Sequence, residues 1–349
     1  MKRPPKPMSE LALIEQIRRE FATARGRHVA LGIGDDCAIL RPPAGSEIVV
    51  TTDFTLEGRH FLRGIHPAES VGHRALARGL SDLAAMGAEP LAAFLSLALP
   101  AELVAKTEGR RWIARFFAGL RTLAERSNVP LAGGDTSESP RETAASGGLI
   151  LADIVLVGAT PKGRALRRSG AKPGDLLYVT GQLGGAAAEL ARMLKHKRPV
   201  KAGPAEGHPH LFPEPRLAAG RALLKRGLAS ACIDLSDGLS TDLAHLCRAS
   251  GVHAEVEQSL LSIHSLAGRL PAEAALHAAL HGGEDYELLF AAPAGVRVPK
   301  SIAGVSVARI GRVMPKREGR PLMVLVKPDN RRVALEPAGW EHFSPVSKN

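Results

Sequence analysis

Ala231-Cys-Ile-Asp-Leu-Ser-Asp-Gly-Leu-Ser-Thr-Asp-Leu-Ala-His-Leu-Cys-Arg-Ala249 is the stretch on which the fold turns. Residues 231–235 form a short apolar run and predict a strand. Asp234 and Asp237 stand where that run ends, beside Ser236 and Gly238, and 238–249 continues as a helix. The same setting recurs upstream at Gly34-Asp35-Asp36, Thr51-Thr52-Asp53, Ser81-Asp82 and Gly133-Gly134-Asp135. One acid beside Gly, Ser or Thr at the end of an apolar run is a turn former or a helix cap as readily as a ligand. Five such acidic ends in succession point to a function that the carboxylates share.

Outward from that stretch, strands and helices alternate through all 349 residues. Leu11, Ile14, Ile17, Arg18 and Phe21 recur at helical spacing and predict a helix over 10–24. Apolar runs bounded by Gly or Pro predict strands at 38–40, 48–52, 91–99 and 148–157. Helices are expected over 67–86, which opens with Pro67 and stops at Gly87, and over 101–126. The segment 158–174, with its five basic residues, reads as a linker. Beyond it come a strand at 175–180 and a helix at 184–194. A hinge with Pro204, Pro209, Pro213 and Pro215 leads to another helix, and strands follow at 286–291 and 305–313. Strands and helices mix on both sides of residue 160, which predicts two α/β or α+β domains, 1–160 and 161–349.

Composition removes several function classes. The formal net charge of +11 invites a polyanion, but aromatic residues are only 4% of the chain, which leaves little for base stacking. The basic residues also scatter into short clusters, at 2–6, 164–168, 195–201 and 312–320. No nucleic-acid partner is expected, and small phosphorylated ligands would meet the same charge. Three Cys without a CxxC pair exclude a disulfide scaffold and a cysteine zinc site. Cys37 and Cys232, beside the acidic runs, read as small buried residues. No apolar stretch approaches the ~18 residues of a membrane span. The run Leu11 to Ile14 is too short for a signal peptide, so a reducing cytoplasm is the expectation.

Asp82 is the sharpest single acid. It lies within Leu80-Ser-Asp-Leu-Ala-Ala-Met86, an apolar helical stretch where an unpaired charge costs roughly several kcal/mol. Arg78, one turn earlier, is the simple partner. A cation shared with the other carboxylates is the functional alternative. Carboxylates, hydroxyls and carbonyls suit hard divalent cations, and Mg²⁺ commonly completes its shell with water and substrate phosphate. The residues thus predict a Mg²⁺–phosphate site. GxxxxGK[ST], a complete GxGxxG, HExxH and GxSxG are all absent. Tyr178-Val-Thr-Gly-Gln-Leu-Gly-Gly185 makes a strand, a glycine turn and a helix, which suits either an anion or simply a change of direction.

Seven blocks, taken together, resemble thiamine-monophosphate kinases. They are Leu31-Gly-Ile-Gly-Asp-Asp-Cys-Ala-Ile-Leu40, Thr51-Thr-Asp-Phe-Thr-Leu-Glu-Gly-Arg-His-Phe61, Leu80-Ser-Asp-Leu-Ala-Ala-Met-Gly-Ala88, Ala132-Gly-Gly-Asp-Thr136, Gly163-Arg-Ala-Leu-Arg-Arg-Ser-Gly-Ala-Lys-Pro-Gly-Asp175, Ile233-Asp-Leu-Ser-Asp-Gly-Leu239 and Gly282-Gly-Glu-Asp-Tyr-Glu-Leu288. They follow that family's order and spacing over nearly the whole chain. The Gly-Asp-Asp turn alone also occurs across the aminoimidazole ribonucleotide synthetase-like superfamily; the full series is more specific. The family often has Asn where Gly79 stands and a second Thr where Ser137 stands, and neither departure removes a carboxylate.

The resemblance implies a two-domain synthetase-like fold. Its N-terminal sheet would pair across a homodimer interface and bind metal and nucleotide, and its C-terminal domain would be α/β. The implied reaction is ATP-dependent phosphorylation of thiamine phosphate to thiamine diphosphate, with several Mg²⁺ ions and ATP as co-substrate. By the same resemblance the metal ligands fall on Asp36, Thr51, Thr52, Asp53, Asp82, Asp135, Asp234 and Asp237, of which Asp53, Asp82 and Asp135 are the catalytic carboxylates. Nucleotide contacts fall on Gly134, Asp135, Arg168 and Ser236, and acceptor contacts on His60, Glu284 and Trp340. Another ATP-dependent synthetase of the superfamily, or a non-catalytic nucleotide-binding scaffold, is the alternative. Read as packing alone, His60 is a core histidine, Arg168 a solvated loop charge and Trp340 an anchor.

Overall fold

The structure, a computed structural model, describes residues 10–21, 26–140 and 148–341. Residues 22–24 of the expected opening helix and the basic cluster at 2–6 lie outside the described residues. Two compact units divide the chain. The first takes the described residues of Met1–Leu83, Glu89–Gly163 and His196–Gly207. The second takes Ala84–Ala88, Arg164–Lys195 and the described residues of His208–Asn349. Among the described residues, no helix is long and apolar enough to cross a membrane.

The first unit opens with helix α1 (Glu10–Phe21), whose Leu13, Ile17 and Phe21 are buried on one face. Strands β1 (Val29–Leu31) and β2 (Ile39–Leu40) pair with each other. The strand expected at 48–52 is longer: β3 runs Ser46–Leu56, a stretch rich in β-branched residues that suit a pleated surface. Helix α2 (Ala68–Ala85) follows, then β4 (Glu89–Leu99), α3 (Ala101–Ala105), α4 (Thr107–Arg126), β5 (Leu131–Glu138) and β6 (Leu151–Pro161). The helix expected over 101–126 is therefore two. Lys106 between them is extended (φ −90°, ψ 146°), and Gly109 backs directly onto the Leu103 carbonyl.

The sheet order is β3-β6-β4-β5, parallel only between β4 and β5. β6 pairs with β3 from Leu56↔Leu151 to Ser46↔Pro161, so residues 158–161 are strand rather than the start of a linker. Helix α2 covers one face. Gly79 packs on Leu156 and Thr51, while Gly72 and Gly119 allow α2 and α4 to touch backbone to backbone. A Cβ at either of those two glycines would stand 1.9 Å from a carbonyl oxygen. The opposite face of β3 is open: Ile48, Val50 and Phe54 are 45%, 63% and 60% exposed.

The second unit contributes β7 (Leu176–Thr180), α5 (Gly185–His196, whose last residue belongs to the first unit), α6 (Leu217–Lys225), β8 (Ala231–Asp234), α7 (Leu239–Ser250), β9 (His253–Glu257), α8 (Ala272–His281), β10 (Leu288–Ala292), β11 (Ser301–Ile302), β12 (Val305–Met314), β13 (Met323–Val326) and β14 (Arg332–Ala334). Its sheet runs β14-β13-β9-β12-β7-β10-β8, with β11 on β12. Only β9 and β13 pair in parallel. Leu239, Leu243, Leu246 and Cys247 of α7 pack with Leu177, Val179, Ile233, Leu289 and Ile310 of the strands. Each fully buried Leu or Ile of this layer stabilises the unit by about 1.5–3 kcal/mol relative to exposure. The strand expected at 286–291 starts only at Leu288, because Tyr286 takes φ 50°, outside the extended region.

Candidate active site

The candidate residues of the first unit gather on β3 and α2. Strand alternation turns Thr51 and Asp53 toward α2 and leaves Thr52 exposed on the other face. Asp82 projects from α2 between the buried Ser81 and Leu83 and accepts a hydrogen bond from Thr51 Oγ1. Arg78, considered from sequence as the partner of Asp82, has its Nε 3.7 Å from Asp53 Oδ1. Thr52 Oγ1 donates to Asp153 Oδ1 at 2.7 Å, on the open face. Burial pushes the Asp53 carboxyl up to about 6. Arg78 opposes that shift, and the Asp82 and Asp153 carboxylates add to it. Like charges held this close favour a bound cation.

Gly133, Gly134 and Asp135 lie inside β5 rather than past its end, since β5 continues in register beside β4 to Glu138. Gly134 takes φ 149°, and a Cβ there would meet the Leu95 carbonyl oxygen at 1.9 Å. Asp135 beside it is exposed, next to a small cleft of about 100 Å³ lined by Ile14, Ile33 and Leu97. Asp36 is exposed in its turn, with its amide on Asp35 Oδ1 at 2.9 Å. Neither Asp36 nor Asp135 bonds to the Asp53–Asp82 group among the described residues. His60 is fixed by Leu56, whose amide donates to Nδ1 at 2.9 Å, and by Arg74, which donates to the His60 carbonyl at 2.7 Å. Cys37 is exposed, contrary to the buried reading, because its turn lies outside the sheet core. Cys232 is buried, and burial pushes its thiol pKa up.

In the second unit the deciding stretch builds an acidic turn. Asp234 is buried at the end of β8, and Asp242 in the first turn of α7 accepts the amides of Asp237 and Gly238, each at 3.1 Å. Burial, then Asp234 and Asp237, push the Asp242 carboxyl up to about 8, against the pull of those amides. Trp340 is 47% exposed, so it is not a buried anchor, and its amide donates to the Asp237 carbonyl at 3.0 Å. Gly339 makes that approach possible, since a Cβ would lie 2.0 Å from the same carbonyl oxygen. Arg168 is exposed and lies close enough to α7 to lower the His245 pKa, a shift led by burial.

Ser236 meets Glu284 through the backbone, the Glu284 amide donating to the Ser236 carbonyl at 2.8 Å. Glu284 takes φ 67°, a conformation that costs a non-glycine residue on the order of 1 kcal/mol and is held here by the flanking bonds. Its carboxylate is 3.1 Å from Nδ1 of the buried His210. Glu189, itself buried, accepts the His210 amide at 2.8 Å and the His208 ring, which fixes this segment. Next along the chain, Asp285 accepts the amides of Gly184 and Ala186, and burial pushes its carboxyl up to about 7. Glu287 pairs with Arg216 and accepts Thr180 Oγ1 at 2.6 Å.

Asp153, Asp242 and His210 are the neighbours that sequence reading missed. Asp153 reads as an ordinary polar position in an alternating strand, and Asp242 as a helix-start acid. His210 sits in the proline-rich hinge, where only its position beside Glu284 makes it notable. Among the described residues, no three His, Cys, Asp or Glu side chains form a ready-made metal cluster. The donor set still fits a hard cation, for it is carboxylate and hydroxyl oxygen, and Asp53 carries the repulsion that a cation relieves.

Comparison with known proteins identifies the family. Residues 34–160 match the AIR synthase related protein N-terminal domain, and residues 172–334 its C-terminal domain. The chain is 39% identical to the thiamine-monophosphate kinase of Escherichia coli (strain K12), over 94% of this chain and 97% of that one. It is 33% identical to that of Bacillus subtilis (strain 168), over 96% and 100%. Among solved structures, the thiamine-monophosphate kinase from Stenotrophomonas maltophilia K279a superposes with a TM-score of 0.76 at 34% identity, covering 91% of this chain and 96% of that one. A ThiL protein complexed with AMPPCP and TMP superposes with a TM-score of 0.70 at 31% identity, covering 96% and 97%. The hydrogenase maturation protein HypE, at 18% identity and a TM-score of 0.73, shares the fold. With identity this high over almost its whole length, the chain belongs to the thiamine-monophosphate kinase family.

Proposed function

We propose that this chain is an ATP-dependent kinase that converts thiamine phosphate to thiamine diphosphate. The observation that supports this most is the ThiL complex with AMPPCP and TMP, which aligns with 96% of this chain. The chemistry agrees with it. A phosphate monoester loses its second proton near pH ~6, so the acceptor oxygen needs no base from the protein at neutral pH. That oxygen bonds to the γ-phosphorus as the bond to the ADP oxygen breaks. The obstacle is repulsion: each pair of unit charges at 4 Å costs about 4 kcal/mol at an effective dielectric of 20.

The carboxylate sets answer that obstacle through divalent cations. Asp36, Thr51, Thr52, Asp53, Asp82 and Asp135 in one unit, and Asp234 and Asp237 in the other, are the proposed ligands, with Asp53, Asp82 and Asp135 closest to the chemistry. When bound, Mg²⁺ would neutralise and align the phosphates for in-line transfer. Asp242 holds the amides of Asp237 and Gly238 and so keeps that turn in place. Gly134, Asp135, Arg168 and Ser236 are proposed for the nucleotide. We infer that the enzyme works in the cytoplasm, where ATP is available.

For the acceptor we propose His60, Glu284 and Trp340. Glu284 offers only acceptor oxygens, which suits an aminopyrimidine donor, and His210 keeps its carboxylate in place. The half-exposed Trp340 ring suits a cationic thiazolium. Glu284→Gln should raise KM for thiamine phosphate about tenfold or more, and Trp340→Ala about threefold to tenfold. KM for ATP should stay nearly unchanged in both. Steady-state kinetics with each substrate varied in turn, beside a melting curve, check this. A defect confined to ATP would overturn the acceptor assignment.

The open face of β3 supports a homodimer. Ile48, Val50 and Phe54 form an exposed apolar stripe, and such patches mark contact surfaces. Sedimentation should give twice the chain mass for the wild type. Val50→Lys combined with Phe54→Asp should shift it to the monomer. A monomeric wild type would refute the dimer.

A further inference from the structure

The basic cluster at 312–320 plays no part in the phosphoryl transfer proposed above. Four strands bring it to one place. β12, β9 and β13 turn Ala254, Val256, Val313, Met323 and Leu325 into the core and Val333 of β14 packs against it, so the alternate positions face outward together. On that outer face the register sets Arg312 opposite Glu255, Glu255 opposite Val324, and Val326 opposite Arg332. Glu255 is only 8% exposed. Arg312 donates to its Oε2 from Nε at 2.9 Å and from Nη2 at 2.8 Å, while Arg332 pairs with its Oε1. One buried carboxylate therefore orients two guanidiniums, each of which remains about half exposed.

Above them is a cavity of about 470 Å³, lined also by His253 and by Arg317 and Arg320 from the segment that joins β12 to β13. Arg317 and Arg320 are exposed, and among the described residues neither is bonded to a carboxylate. Glu318, on the same segment, does not line the cavity. Four arginines thus face one shared space with a single carboxylate among them.

We propose that this cavity binds the di- or triphosphate group of a small molecule. A guanidinium carries five donors in a planar fork and no acceptor, which matches phosphate oxygens in pairs. Glu255 engages only part of the donor set of Arg312 and Arg332, and Arg317 and Arg320 bring theirs whole. The volume lies within the range of small-molecule sites, roughly 300–1,000 Å³. Among the described residues no Phe, Tyr or Trp lines the cavity and His253 is its one aromatic ring, so it offers little platform for stacked bases and favours phosphate over nucleic acid.

Calorimetric titration of the full chain with inorganic diphosphate, in chelator and low salt, tests the site. The chelator withholds the divalent ions that the transfer site needs, and diphosphate retained there would bind wild type and variant equally. Saturable binding is expected in the wild type, weakened about tenfold or more in the doubly substituted Arg317→Ser, Arg320→Ser chain. Melting temperature and kcat of that variant should equal the wild type, since both arginines are exposed and lie outside the proposed transfer machinery. Equal affinity in the two chains, or no saturable binding in the wild type, would overturn the proposal. So would a single-stranded oligonucleotide that binds through the same arginines more tightly than diphosphate does.

Discussion

Asp53→Asn and Asp135→Asn should each lower kcat by about a hundredfold or more while the fold stays intact. An ionised ligand that is aimed at the transferring phosphoryl group is commonly worth about 3 kcal/mol in the transition state, and an amide of the same shape removes the charge alone. The two variants differ in their effect on stability. Asp53 is ionised at neutral pH although its carboxyl has been pushed up to about 6 by burial and by Asp82 and Asp153. A carboxyl raised in the folded state costs stability progressively as the pH climbs from its unfolded value of about 4 to its folded value of about 6, and the cost is complete above that, so Asp53→Asn should melt at the wild-type temperature or above it at pH 7.5. Asp135 is exposed, and its substitution should leave the melting temperature unchanged. Rates and melting curves measured together decide the matter. Near-wild-type kcat in a folded variant would remove that carboxylate from the proposed machinery.

Local pattern made much of this fold legible. The run of 231–249 appears as β8, an acidic turn and α7, and 67–86 appears as α2, because apolar spacing and punctuation by Gly and Pro act within a few residues. Where a neighbour decides the conformation, the sequence was silent. β5 contains Gly133, Gly134 and Asp135, all poor strand formers, and is extended because β4 pairs with it in parallel. β13 and β14 are short, of four and three residues; β13 owes its place to β9, and β14 owes its place to β13. The family resemblance implies the candidate site residues, but their partners are hidden for the same reason. Asp153 reaches Thr52 across 101 positions, and His210 reaches Glu284 only through the folded hinge. Asp242 reads locally as an ordinary helix-start acid, and nothing local marks it as buried with Asp234 and Asp237.

The fate of the γ-phosphoryl group distinguishes the kinase from the synthetases that share its fold. A kinase moves that group to the acceptor. A synthetase uses it to activate another group and releases it as orthophosphate. With the acceptor already a phosphate, direct attack needs only alignment and relief of charge, which the Asp53–Asp82 and Asp234–Asp237 sets would give once a divalent cation is present. Free thiamine, whose hydroxyl would require a base, should give no product, and excess chelator should abolish turnover. The most direct measurement follows ATP radiolabelled in its γ-phosphoryl group, with Mg²⁺ and thiamine phosphate. The account predicts label in the terminal phosphoryl of thiamine diphosphate, with one ADP formed for each. Label released as orthophosphate without thiamine diphosphate, AMP as the nucleotide product, or undiminished turnover in chelator would contradict it.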